Sequence, residues 1–590
     1  MTSFTTKPLR RRILAWIRRS ENSALIVLAI AIGALAGVGA VAFRWLIIGA
    51  TQLFSGHADY SDVGHATNHW VPWLGPYFVV LAPVVGGLIY GPLVYHFARE
   101  ARGHGVPEVM YAINKRAGRI PAKVALIKAL ASAVTIGSGG SVGREGPIVQ
   151  IGSAIGSTVA RATKLNESQV RLLVACGAAG GIAATFNAPI AGVFFALELL
   201  LSNFVARAFA AVVLASVTAS VIGRAAFGDV AFLVLPEFTV HSLGEYALYA
   251  VLGLLAALVA TSFVKVLYWF EDMADKLWKG PEWLRPVAGG LLLGLLLLAL
   301  PQMYGVGYPV LENAVMGEYV LWMLLLLLVG KMIATSLTIA IGGSGGVFAP
   351  SLFLGAMLGA GFGTIANLAF PGIGLDPGAY ALVGMGAVFA GAARAPITAV
   401  IILFELTGEY SIILPLLLAV VISTMLSTGI SKESIYTAKL MRRGVDLSAK
   451  PARPGLAGLT VRDFMLPAPK SVGTRMSLNE ALKALRTSRR PGLPVLTEHG
   501  EYVGVVTAVG AAAAMGDDDA DIVTVSQLIE WREYVNPDDP IEKVLDVLLG
   551  EDVYDGIPVL DSEGNVAGWL RRDAVLRRMT AQPVTPNASA

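Results

Sequence analysis

Charge is scarce in this chain. Asp, Glu, Lys and Arg make up 15% of its 590 residues while 55% are hydrophobic, against about 25% charged in an ordinary soluble domain. A chain of that composition has to bury its surface in lipid. The formal net charge is only +3, and Lys and Arg gather at helix flanks and in the C-terminal part without forming a basic stripe, so nucleic acid is not an expected partner. Cysteine is nearly missing: Cys176 stands alone in a Gly/Ala-rich apolar segment, can form no intramolecular disulfide, and reads as a small core residue. Histidine is sparse too, and His57, His65 and His69 are irregularly spaced in a polar loop, so no metal set is expected. Ser, His and Asp form no nucleophile constellation, and an enzyme is a poor fit.

What the chain does have is a set of Gly-Pro punctuations inside apolar sequence: Gly103-His104-Gly105-Val106-Pro107, Gly143-Arg144-Glu145-Gly146-Pro147 and Gly346-Val347-Phe348-Ala349-Pro350. Each precedes a run able to form a helix, which puts each Pro in a first helical turn, where its missing N–H costs nothing. Such helices begin within the membrane. Their unpaired N–H groups have to face protein, water or a ligand, and the positive dipole end suits an anion. The expectation is a dehydrated anion site built largely from backbone.

The start, Lys7 to Arg19, is basic and amphipathic and leads into an apolar run from Ala24 to Ala50, longer than the roughly 7–15 apolar residues of a signal peptide. It reads as a retained membrane helix. The positive-inside rule then puts the N-terminus in the cytoplasm, together with Arg442 and Arg443 after the last apolar run. A cell (inner) membrane is the expected location.

Internal repetition organises the rest. Ala188-Pro189-Ile190-Ala191 through Glu198 reappears as Ala395-Pro396-Ile397-Thr398 through Glu405, an offset of 396 − 189 = 207. Pro147 is followed by Gly152 and Gly156 as Pro350 is by Gly355 and Gly359, an offset of 350 − 147 = 203. Gly/Ala-rich motifs also serve simply to let helices pack closely, but two ordered matches argue for a duplicated membrane domain at 23–444, with halves at about 23–228 and 244–444. Duplicated transporters commonly hold the substrate between repeats, at broken helices whose N-termini point at it.

Beyond Gly444 the composition changes. Residues 445–459 read as a linker, and short apolar strands then alternate with amphipathic helices. Gly492-Leu493-Pro494-Val495-Leu496 recurs as Gly556-Ile557-Pro558-Val559-Leu560, 556 − 492 = 64 residues on. Ser477 with Glu480 predicts a capping box, and Asp539-Pro540 with Glu542 a second helix start. Two small α/β modules are therefore expected at 460–515 and 524–580, with a flexible tail at 581–590. The acidic run Asp517-Asp518-Asp519 with Asp521 reads as a solvated loop between them.

The order of these motifs, ending in Tyr436 within Ser434-Ile435-Tyr436-Thr437-Ala438, resembles the CLC family of chloride channels and chloride/proton antiporters, and the tail from Val461-Arg462-Asp463 resembles a CBS domain pair. The resemblance implies an all-α polytopic membrane domain of two inverted repeats with broken helices, then a cytoplasmic α/β CBS pair, in a homodimer with one pore per subunit. It makes Glu145 the external gate, a carboxylate that enters the anion site when ionised and leaves when protonated, though Glu is also ordinary at a helix start. It implies an anion site at His104, Gly105, Arg144, Glu145, Gly146, Val347, Phe348 and Tyr436, with Lys128 adding positive potential and Glu108 as the partner of that lysine.

Two departures bear on function. His104 stands where the family has Ser; an imidazole N–H can donate to an anion, or the ring can turn away onto a backbone carbonyl. Leu199 follows Glu198 where family antiporters carry a second, proton-relaying glutamate. Leu cannot carry a proton, and adjacent helical residues point about 100° apart, so Glu198 matches the structural glutamate. The expected function is a passive chloride channel gated by Glu145; the alternative is a chloride/proton antiporter with a non-standard internal route, through His104 and water. A CBS-regulated divalent-cation channel would need clustered acids facing a cavity, and the apolar runs supply isolated carboxylates. No cofactor is required. ATP or another adenine nucleotide at the CBS pair would use Asp573, but the first module lacks that acid and Leu570 stands where Ser or Thr is expected.

Overall fold

A computed structural model describes residues 21–163, 165–201, 206–228, 242–371, 375–408, 410–447, 456, 458–514, 523–548 and 556–581. The basic stretch Lys7–Arg19, the acidic run at 517–521, most of the linker and nearly all of the tail lie outside these residues. The chain divides into two compact units, Met1–Leu447 and Ser448–Ala590.

The first unit is helical. Its first half runs α1 (Glu21–Ser55), α2 (Phe78–Phe97), α3 (Val106–Lys115), α4 (Ala122–Gly137), α5 (Glu145–Ala162), α6 (Glu167–Phe186), α7 (Pro189–Phe195, continued by a π turn over Ala196–Leu201) and α8 (Ala206–Phe227). The second runs α9 (Glu245–Leu277), α10 (Arg285–Ala299), α11 (Tyr308–Val315), α12 (Leu321–Ala340), α13 (Phe348–Ala369), α14 (Pro377–Ala393), α15 (Pro396–Thr407) and α16 (Ile413–Ile430), closed by the short α17 (Thr437–Arg442). Among the described residues nine helices are long and apolar enough to cross a membrane.

The halves repeat in packing as well as in sequence. Helix α5 lies on α6 as α13 lies on α14, and α1 lies on α8 as α9 lies on α16. Small residues make this possible: Gly152 faces the backbone of Gly177, and Gly355 that of Gly384, where any Cβ would collide. Helices α6 and α14 stop at the same repeat position, in left-handed Asn187 (φ 57°) and Arg394 (φ 58°). The Ala-Pro that follows each cannot extend the preceding helix and starts a new one, with the Pro at its head.

The new helix starts are closed across the repeat. Glu198 accepts from Ile397 N (3.1 Å) and Thr398 N (2.8 Å) at the head of α15, while Glu405 accepts from Ile190 N (2.9 Å) and Ala191 N (2.6 Å) at the head of α7. Each carboxylate satisfies helix-start N–H groups that the apolar surroundings cannot.

In the second unit, β1 (Val472–Gly473), β2 (Gly492–Leu496), β3 (Tyr502–Thr507) and β4 (Ile529–Trp531) form one sheet in that order, and β5 (Gly556–Leu560) with β6 (Val566–Arg571) another. The repeated pentapeptides are β2 and β5. Each pairs antiparallel with its successor, and the register slips between Val495 and Leu496 as it does between Val559 and Leu560. Each module keeps its own apolar core, around Val495 and Leu485 in one and Val559 and Leu545 in the other. Ser477 and Glu480 form the expected capping box at α18 (Leu478–Ser488). Bonds from the Ser477 backbone N–H and hydroxyl hold the exposed Glu480 carboxyl below its ordinary value, so this cap is at full strength above the usual carboxylate range and is lost as pH falls from that range through the lowered value.

Candidate anion site

The three Gly-Pro motifs converge. Gly143 and Gly346, repeat equivalents, exchange both backbone hydrogen bonds, Gly143 N to Gly346 O at 2.8 Å and Gly346 N to Gly143 O at 2.6 Å. This bridge brings the heads of α5 and α13 together. The third motif closes from the side: Gly103 N donates to Gly343 O at 3.1 Å, and Gly345 N to Gly103 O at 3.3 Å. The approach admits no side chains. A Cβ on Gly146 would fall on the carbonyl oxygen of His104, and one on Gly105, held at φ 80°, would lie 2.7 Å from the carbonyl oxygen of Gly146. Prolines 107, 147 and 350 each sit in a first helical turn, as the sequence predicts.

One small enclosed pocket is lined by His104, Glu145, Gly146, Val347, Phe348 and Tyr436, with Val106, Val149 and Phe195. Six of the eight anion-site positions expected from sequence therefore meet. Gly105 and Arg144 do not line it: Gly105 packs closely against the Gly146 carbonyl, and the Arg144 guanidinium lies 5.1 Å from the centre of the Tyr308 ring in a separate cavity. That cavity, of about 370 Å³, is also lined by Arg44, Asp59, Tyr304, Tyr308 and Glu312.

Glu145, 2% exposed, begins α5 and turns its carboxylate onto the head of α13. Its Oε2 accepts from Ala349 N at 3.4 Å, and Oε1 accepts from the Tyr308 hydroxyl at 2.5 Å. The carboxylate thus occupies ground where helix-start N–H groups and their positive potential favour a negative charge. A bound anion would be held by the same donors.

His104 is 1% exposed, its ring centroid lies 6.3 Å from that of Tyr268, and neither ring nitrogen has a hydrogen-bond partner among the described residues. The ring is therefore not turned away onto a carbonyl. It lines the pocket with its polar atoms uncommitted.

Lys128, fully buried, donates to Ala101 O (2.9 Å) and Gly103 O (2.7 Å), fixing the loop that carries His104. Glu108 is not its hydrogen-bonding partner: that carboxylate pairs with Arg443, because the first turn of α3 faces the basic end of α17. Leu199 is buried, and Glu198 is committed to the head of α15.

Two participants escape a reading of the sequence. Tyr308 holds Glu145, and Lys331, fully buried, donates to Gly305 O (3.2 Å) and Val306 O (2.8 Å). A signal existed for both. Gly305-Val306-Gly307-Tyr308-Pro309 repeats the Gly-x-Gly-x-Pro of residues 103–107 at 309 − 107 = 202, and Lys331 repeats Lys128 at 331 − 128 = 203.

In the CBS unit, Asp573 is ion-paired with Arg571 Nε at 3.0 Å and Arg577 Nη2 at 3.3 Å. Its carboxylate is engaged by guanidinium groups on both sides.

Comparison with known proteins places this geometry. The family described as voltage gated chloride channel matches residues 86–428, and CBS domains match 461–514 and 522–581. An H(+)/Cl(-) exchange transporter ClcA of Vibrio parahaemolyticus is 31% identical over 72% of this chain and 91% of its own length. A putative chloride channel protein ClcB-like of Ralstonia nicotianae is 32% identical over 72% of this chain and 98% of its own. The crystal structure of a slow cyanobacterial Cl-/H+ antiporter superposes with a TM-score of 0.63 at 27% identity, covering 72% of this chain and 99% of that one. With broken helices meeting at a buried, backbone-built site and a family match across most of the membrane unit, the chain belongs to the CLC family of chloride channels and transporters and carries a C-terminal CBS pair.

Proposed function

We propose that the protein exchanges chloride, or a similar small anion, for protons across a membrane, with Glu145 as the group that handles both. The observation that carries this is the seat of the Glu145 carboxylate on the head of α13, against Ala349 N. Carboxylate and anion compete for the same donors, so an anion enters when the carboxyl takes a proton and leaves. Competition of that kind ties anion movement to proton movement. The exchange activity named for the ClcA relatives and for the cyanobacterial structure supports the same reading.

On the inner side His104 supplies N–H donation to the anion. Lys128 and Lys439 stand close by, the latter with Nζ beside Gly103, so the inner mouth favours negative charge. Inward proton passage does not use the position of Leu199; it runs from Glu145 past the His104 ring through water. The N-terminus and CBS pair face the cytoplasm of a cell whose inner membrane holds a homodimer with a pore in each subunit, as the family resemblance and the basic flanks at Lys7–Arg19 and Arg442–Arg443 support.

A passive channel is the second reading, favoured by Leu199 alone among the site residues. Purified protein in liposomes separates the two. Exchange predicts that an imposed chloride gradient drives protons uphill and that the reversal potential moves with a pH gradient. Chloride flux with no uphill proton movement, at a reversal potential blind to pH, would establish the channel.

A further inference from the structure

The geometry points to Tyr308 as the latch of the outer gate: its hydroxyl holds the ionised Glu145 carboxylate in the pore and thereby sets the external proton concentration at which the gate releases. This rests on the reading of Glu145 as the gate and adds a positioning residue to it.

Tyr308 is fixed from three sides. It opens α11 immediately before Pro309, which sits in the first turn of that helix. The preceding loop is held by Lys331 through the carbonyls of Gly305 and Val306. The Arg144 guanidinium lies 5.1 Å from its ring. The hydroxyl then reaches Glu145 Oε1 at 2.5 Å, the short end of the range for an O–H donor on an ionised oxygen. A hydrogen bond to a charged acceptor is about twice as strong as one to a neutral acceptor. The latch therefore favours the seated, ionised carboxylate and slackens once a proton arrives.

The inner loop shows that this is particular to the outer mouth. At the matching position of Gly103-His104-Gly105-Val106-Pro107 stands Val106, whose side chain has no donor. The duplicated frame is the same, a Gly-x-Gly-x-Pro loop tied down by a buried lysine, but only the outer copy carries a hydroxyl.

Other charges and titratable groups also face Glu145: Arg144 immediately before its helix, Lys331 on α12, and Tyr436 and His104 across the pocket. Arg44, Asp59 and Glu312 line the outer cavity. Tyr308→Phe leaves all of them in place and removes one oxygen, which isolates the latch from the general field.

The test is chloride efflux from proteoliposomes as a function of external pH, for the wild-type chain, Tyr308→Phe, Glu145→Gln and the double variant. Loss of the bond is expected to raise the pH of half-maximal flux by about one unit, a tenfold change in proton concentration. The double variant is expected to match Glu145→Gln, because the latch has nothing left to hold. An unchanged midpoint in Tyr308→Phe, while Glu145→Gln abolishes the pH dependence, overturns the latch and spares the gate. A Tyr308→Phe effect of the same size in the Glu145→Gln background also overturns the latch. Wild-type pH dependence in Glu145→Gln overturns both. Should Tyr308→Phe not assemble, infrared difference spectra of the wild-type chain and Glu145→Gln read the same bond. A tyrosine C–O band that shifts as the Glu145 carboxyl titrates supports the latch, and one that stays fixed overturns it.

Discussion

Replacing Glu198 by Gln separates a carboxylate that holds the fold from one that carries protons. The ionised side chain accepts three donors: Ile397 N at 3.1 Å, Thr398 N at 2.8 Å and Thr398 Oγ1 at 2.6 Å. An amide keeps one acceptor oxygen and turns an NH2 group toward donors that already lack another partner. A hydrogen bond to a charged group contributes about 1.5–3 kcal/mol in soluble proteins, whereas side-chain bonds between membrane helices average about 0.6 kcal/mol. The charge at the helix head adds about 0.3–1 kcal/mol. Losing two bonds and the charge then costs about 2–4 kcal/mol, toward the lower end because Glu198 is only partly buried. Thermal unfolding of the purified protein in detergent should show a midpoint several degrees lower, and Glu405→Gln should behave alike at the opposite helix head. The proton-to-chloride ratio measured in liposomes should not move. A Glu198→Gln protein of normal thermal stability with an altered ratio would refute the structural assignment and put Glu198 on the proton path.

Other perturbations address single contacts. His104→Ser should change the chloride-to-nitrate preference in bi-ionic reversal potentials, since the imidazole lines the pocket with uncommitted nitrogens; an unchanged preference would show that the ring does not touch the anion. Gly146→Ala should abolish chloride efflux, because its Cβ would strike the carbonyl oxygen of His104 and lie 3.1 Å from Gly346 Cα; near-normal efflux would contradict the rigid backbone junction. Calorimetry of the full-length protein should detect no micromolar ATP binding, since Arg571 and Arg577 already engage Asp573. Micromolar affinity lost in Asp573→Ala would reverse that expectation.

Features whose causes are local in sequence were legible. A Pro in a first turn, a Ser477–Glu480 capping box and a repeated Gly-x-Pro-Val-Leu strand each declare themselves within a few residues, and each appears in the structure. The broken helices of the anion site follow from the same chemistry. Features that depend on long-range pairing were not legible. Glu198 and Glu405 could be recognised as structural, but nothing in their neighbourhood says that each caps a helix about 200 residues away. Glu108 was expected on Lys128, but carbonyl oxygens satisfy the ammonium and Arg443 takes the carboxylate. Tyr308 was hidden by divergence: its motif keeps only two glycines and a proline in common with residues 103–107, and the side chains between them differ.

Those differences are where a duplicated frame becomes directional. Two mouths built from the same loop, each with its lysine on backbone carbonyls, would by themselves treat an anion alike from either side. The copies part at two positions. The residue after the first glycine is His104 on the inner loop and Val306 on the outer, and the residue after the second glycine is Val106 on the inner and Tyr308 on the outer. On the proposed function and orientation, the inner loop offers an anion the His104 ring inside the pocket and nothing that grips Glu145. On the same reading, the outer loop lends the lining of that pocket no residue among those described and instead holds Glu145 through the Tyr308 hydroxyl. On the proposed mechanism, an anion arriving from inside meets its ligands first and the carboxylate last, while one arriving from outside waits for a proton to loosen the bond between Tyr308 and Glu145. A Val106–Tyr308 exchange between the loops should therefore do more than weaken transport: it should move the pH control of flux from the outer face toward the inner one.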